Sequence, residues 1–172
     1  MQRFFTFLFT AAFAVALPLQ AQNPMSQEAQ ASWTSTSANL LAAAEKMPAD
    51  KYGFKPAPES QSFADLVAHT AQSAMRSCSG LNGEAVQSNA DAAAGKDALV
   101  AALKAGLEQC TKANATLTDA TAAEMVPAGR AQRTRIGALY GNTKHLEHEY
   151  AQMAVHFRLN GLVPPSSDRS GR

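Results

Sequence analysis

The residues best equipped for chemistry lie between Tyr140 and Arg158, and most densely from His145 to Glu149. Two imidazoles and two carboxylates fall inside this five-residue run, in a segment whose surroundings read as helix. Residues three and four apart share a helix face, so His145 can point the same way as His148 and as Glu149. With a third ligand from another helix, either pairing offers nitrogen and oxygen donors suited to a divalent metal such as zinc, nickel or iron. The plainer alternative for the same residues is a solvated helical face carrying charge.

Other catalytic patterns are missing. His148-Glu149 begins like the H-E-x-x-H zinc-protease signature, but Gln152 stands where its second histidine belongs. The inverted form H-x-x-E-H needs a histidine at position 144, which is Lys144. The chain also lacks a G-x-S-x-G elbow, a P-loop and a dinucleotide-binding glycine pattern.

Positioning these groups falls to four amphipathic helices. The first is expected from Ser26, as N-cap, to Met47, with Trp33, Leu40, Leu41 and Ala44 at helical spacing. Pro48 ends it, and Pro56 and Pro58 keep the next stretch out of helix, so Tyr52 and Phe54 are expected to lie back on the core. Ser62 and Asp65 resemble a capping box that opens a second helix over Phe63–Ser79. A polar, small-residue connection from Gly80 to Gly95 leads to a third helix over Lys96–Leu117. Met125 to Arg130 reads as a break, followed by a fourth helix over Gln132–Leu159 with Ile136, Leu139, Tyr140, Thr143, Tyr150, Met153, Ala154 and Phe157 on its apolar side. Asn160-Gly161 and Pro164-Pro165 stop it. No strand alternation stands out, so the fold class is all-α, a four-helix bundle. On a wheel of about 100° per residue, His69 and His145 each fall about 140° from the centre of their apolar stripes. That suits a solvent face, and it equally suits a site opening at the rim of a bundle.

The amino terminus sets the compartment. A basic start at Arg3, an apolar run from Phe4 to Leu19 and a small residue at Ala21 make residues 1–21 a signal peptide, with the mature chain starting at Gln22. The run falls short of the roughly 20 residues a membrane span needs, so no stable membrane insertion is expected once it is removed. The domain then occupies residues 22–165, and residues 166–172 form a flexible polar tail. Of the 15 Lys and Arg, Arg3 leaves with the signal, and the remainder balance the 14 Asp and Glu. A neutral surface without a basic stripe argues against nucleic acid as a partner. In an exported chain, periplasmic or secreted, Cys78 and Cys110 are expected to pair as a disulfide that staples two helices. Closing a loop of about 30 residues is worth about 3 kcal/mol. Two buried free thiols are the alternative.

Trp33, Tyr52-Gly-Phe-Lys-Pro56, Ser62-Phe-Ala-Asp-Leu-Val-Ala-His69 and His145 with Tyr150 recur in one known layout, which closes on Phe157-Arg-Leu-Asn-Gly-Leu-Val-Pro-Pro165. It resembles the DinB-like superfamily of four-helix-bundle proteins across nearly the whole mature chain. The resemblance implies a divalent metal held by one histidine from the second helix and an H-x-x-x-H pair from the fourth. His69 matches the first of these and His145 the second. Position 149 is Glu149 where the family has its third histidine, and His148 stands where the family often has Glu. Three outcomes stay open: a site of His69, His145 and Glu149, His148 as the third ligand after a small helix rotation, or a decayed site. The enzyme reading that follows is metal-assisted transfer or hydrolysis on a small-molecule substrate, with the metal as Lewis acid and Gln152 or Tyr150 as neighbours, and a homodimer as a candidate assembly. The competing class is a non-catalytic binding or stress-associated bundle.

Overall fold

A computed structural model describes residues 23–84 and 86–168. The expected signal peptide and its cleavage point lie outside the described residues. Among the described residues four α-helices run α1 Pro24–Lys46, α2 Phe63–Leu81, α3 Lys96–Ala115 and α4 Arg135–Leu159. They form the expected all-α bundle, with α2 packed most extensively on α3, and α1 lying against α3 and α4. Among the described residues no helix is long and apolar enough to cross a membrane.

Local chemistry explains the helix ends. The capping box at α2 forms fully: the Asp65 N–H donates to Ser62 Oγ at 3.1 Å, and the Ser62 N–H donates to the Asp65 carboxylate at 2.9 Å. The Ser62 hydroxyl also donates to that carboxylate at 2.6 Å, and this bond, followed by the one from the Ser62 N–H, holds the Asp65 carboxyl below its ordinary range. At α1 the expected cap is displaced. Asn23 takes the N-cap position, and Ser26 is buried one turn in, where its N–H and hydroxyl both donate to Asp119. A distant carboxylate after α3 thus serves the open N–H groups of α1, which a local reading cannot find.

The stretch read as a simple break is a β-hairpin. Met125–Ala128 (β1) pairs antiparallel with Ala131–Thr134 (β2), turning at Gly129 with φ +66°. Strands of four residues, one of them carrying Pro127, are too short to show alternation. The hairpin also moves the start of α4 from Gln132 to Arg135, where the Thr134 hydroxyl accepts from the Gly137 N–H.

Trp33, Leu40, Phe63, Leu66, Leu103, Leu146, Met153 and Phe157 fill the core. Tyr52 lies back on it as expected, donating its hydroxyl proton to the Ala44 carbonyl at 2.6 Å. Tyr140, read as part of the α4 stripe, is instead 61% exposed, and Leu146 takes the buried place. Cys78 and Cys110 form a disulfide between α2 and α3, with Cα atoms 4.8 Å apart. Beside it Gly106 lets the two helices touch, since a Cβ there would stand 2.8 Å from the Ala71 carbonyl oxygen. The polar tail is held at its start. Residues 165–167 form a 3₁₀ turn, Ser166 N–H donates to the Tyr150 hydroxyl at 2.8 Å, and Asp168 pairs with Lys46 at 2.6 Å.

Candidate metal centre

Helices α2 and α4 bring His69, His145 and Glu149 together. One donor atom from each can be chosen so that all three lie within 4.8 Å of one another. The two imidazole Nε2 atoms are 3.3 Å apart. Glu149 Oε1 stands 3.9 Å from His69 Nε2 and 3.8 Å from His145 Nδ1. Two bonds of about 2.0–2.1 Å at a tetrahedral angle separate their donors by about 3.4 Å. The two Nε2 atoms therefore already have the spacing of two ligands on one ion, and the carboxylate needs to close by about 0.5 Å on His69 Nε2. Two imidazole nitrogens and a carboxylate are a donor set suited to zinc, nickel or iron.

Exposure differs within the group. Both imidazoles have 41% of their side chains exposed, whereas the Glu149 side chain is 6% exposed. The site opens to water on the histidine side and rests on a buried carboxylate. Burial pushes His145 below its ordinary 6.5; His69, His148 and Arg76 push the same way, and Glu149 opposes them. A neutral ring offers its lone pair without first losing a proton. Gln152 Nε2 donates to Glu149 Oε2 at 3.0 Å, leaving Oε1 for the histidines. Ser73, one turn after His69, places its hydroxyl 3.4 Å from both Nε2 atoms. Its only trace in the sequence is that spacing of four.

His148 is exposed and stands outside the group. Packing of α4 turns Glu149 inward and the neighbouring residue outward, since successive helical residues diverge by about 100°. Tyr150 is occupied with Ser166 at the tail, which leaves Gln152 as the neighbour of the centre.

The remaining histidine of α4 has a different setting. His156 is 3% exposed, with Nδ1 3.0 Å from the Gln152 carbonyl oxygen, Nε2 3.2 Å from that of Gln61, and its ring edge-on to Phe54 and Phe63. It is a packed structural residue tying α4 to the loop before α2. The sequence gives it no distinguishing mark.

Two hollows flank the centre. One, of about 540 Å³, has His145 in its wall together with Arg76, Arg133 and Asn142. The other, of about 320 Å³, has His69 in its wall with Asp65, Gln72 and Asp91.

The sequence model of the DinB superfamily matches residues 32–153. Among solved structures, the crystal structure of a DinB-like protein from Bacillus cereus ATCC 10987 is similar, with a TM-score of 0.62. The two chains are 17% identical, and the match covers 81% of this chain and 95% of that one, a likeness of fold. No curated protein matches the chain.

Proposed function

The chain belongs to the DinB superfamily, and on that premise we propose that it is an exported metal-dependent enzyme carrying out transfer or hydrolysis on a small molecule. The observation that carries this reading is the convergence of two half-exposed imidazoles on one buried carboxylate beside an open pocket. His69, His145 and Glu149 would hold the ion. A divalent metal there supplies Lewis acidity, which makes a thiol or water a nucleophile near neutral pH. The protein's own part is positioning. Gln152 fixes the carboxylate by its hydrogen bond, and burial of Glu149 keeps that side dry. The exposed edges of the two rings leave the open side to substrate. Export is supported by the disulfide, since such bonds persist in oxidising compartments.

Metal analysis of the purified protein tests the reading. Stoichiometric zinc, nickel or iron is expected, and His145→Ala should abolish it while leaving the bundle folded. Glu149→Ala should weaken binding far more than His148→Ala. The reverse order would make His148 the third ligand. Binding unaffected by any of the three substitutions would leave an exposed polar face and favour the non-catalytic bundle.

A further inference from the structure

The hollow beside His145 is a groove between α2 and α4, roofed by the hairpin. His69, Ser73 and Arg76 follow one another along one face of α2 at spacings of four and three, so the groove runs directly from the metal centre. Its two full charges are the guanidinium groups of Arg76 and Arg133, one from α2 and one from β2. Among the described residues no carboxylate lines it, and neither arginine forms an ion pair. Between them the walls are largely apolar, with Leu81, Pro127 and Ala138 facing the space. Gly80 on α2 and Gly141 on α4 put no side chain into it, and a Cβ on Gly80 would meet nothing within 4 Å.

We propose that this groove binds a small organic acid, with its carboxylate held by Arg76 and Arg133 and its apolar body on Leu81, Pro127 and Ala138. The carboxylate end faces the His69–His145–Glu149 centre, because Arg76 lies between that centre and Leu81 along α2. Several features select this ligand class. Two guanidinium groups with no carboxylate beside them in a largely apolar groove call for one compact anionic group, and the planar fork of arginine matches a carboxylate. A groove of about 540 Å³ takes an organic acid of ordinary metabolite size. Seven residues of α4 separate Ala138 from His145, a rise of about 10 Å, so one molecule can touch both ends. The proposal rests on the metal reading only for what happens where the carboxylate end meets the centre.

The test uses the purified chain, stripped of metal with a chelator, titrated with benzoate and with its uncharged counterpart benzamide. Backbone amide shifts report binding. Benzoate should bind more tightly than benzamide and shift the resonances of Gly80, Gly129 and Gly141. Arg76→Gln and Arg133→Gln should each weaken benzoate about tenfold or more, the loss of a charged hydrogen bond, and leave benzamide unchanged. Both arginines are exposed, so these variants should melt like the parent. Gly80→Leu should exclude both probes by filling the groove. Equal binding of the two probes, benzoate binding indifferent to both arginine variants, or no binding at tens of millimolar would overturn the proposal. Inorganic phosphate binding more tightly than benzoate, and lost in the same variants, would overturn the carboxylate assignment in favour of a phosphate site. Zinc binding measured alongside separates the two readings: zinc without benzoate removes the acid site alone, and benzoate without zinc removes the metal centre alone.

Discussion

Helix α2 meets α3 and α4 in opposite ways. Against α3 it is drawn in until backbone touches backbone at Gly106 and Ala71, and the Cys78–Cys110 disulfide closes the same seam. Against α4 the seam parts into polar groups and a groove, with His69 facing His145 and Arg76 standing over open space. Asn142 marks the boundary. Its amide nitrogen lies 3.4 and 3.3 Å from the two disulfide sulfurs, while the residue also lines the groove. A helix fixed rigidly on one face can carry half-exposed, imperfectly packed chemistry on the other, because a site needs preorganised ligands more than it needs buried area. The closed seam should therefore carry stability and the open seam should carry ligands.

Substitutions on the closed seam should give the largest losses of stability. Replacing Cys78 and Cys110 together with alanine should cost about 3–4 kcal/mol, from the freed loop of the unfolded chain. Denaturant unfolding reads this directly, and a loss below about 1 kcal/mol would show that helix packing alone holds the seam.

Gly106→Ala comes next. Its methyl would stand 2.8 Å from a backbone oxygen, so α2 and α3 must separate, at a cost of about 1–3 kcal/mol. An alanine variant as stable as the parent would mean that the seam can relax, which would weaken the contrast with α4.

On the open seam the order of effects inverts. His145→Ala should change stability by less than about 1 kcal/mol, because the ring is half-exposed, yet it should remove metal binding. Calorimetry of unfolding and metal content on the same sample settle the pair of claims. A large stability loss without metal would assign His145 to the core.

The smallest effect is the pH response of the metal-free protein. Burial lowers the His145 value below its ordinary 6.5 despite Glu149, so the unfolded chain takes up this proton more readily than the folded one. Above 6.5 the ring is neutral in both states and contributes no pH dependence. As the pH falls from 6.5 through the lowered folded value, stability should decline, and His145→Gln should flatten that part of the curve. Melting curves that keep their slope in His145→Gln would place the response on another group.

Much of the frame was legible from local patterns. The Ser62–Asp65 box, the prolines after α1 and the Asn160-Gly161 stop are written in contiguous residues, and each acts on backbone groups within a turn or two. The misreadings have a common cause. Ser26 looked like a cap because its partner Asp119 lies 93 residues away. The hairpin hid because its two strands are four residues each and one carries Pro127. Tyr140 fitted the apolar period of α4, but in the folded protein its side chain is exposed on the flank of the helix.

What the sequence by itself determined is therefore the number of helices, the donor types on offer and the presence of two cysteines, Cys78 and Cys110, on different helices. Which donors meet was decided by tertiary structure. His148 and Glu149 are adjacent in sequence and about 100° apart in azimuth, and either could share a face with His145. Only the rotation of α4 about its axis, fixed by Leu146, Met153 and Phe157 locking into the core, turns Glu149 toward His69 and leaves His148 in water. The period of a helix is a local property of its backbone. Its rotation relative to a neighbour is set by close packing against residues far away in the chain, and that rotation is what assembles the centre and opens the groove beside it.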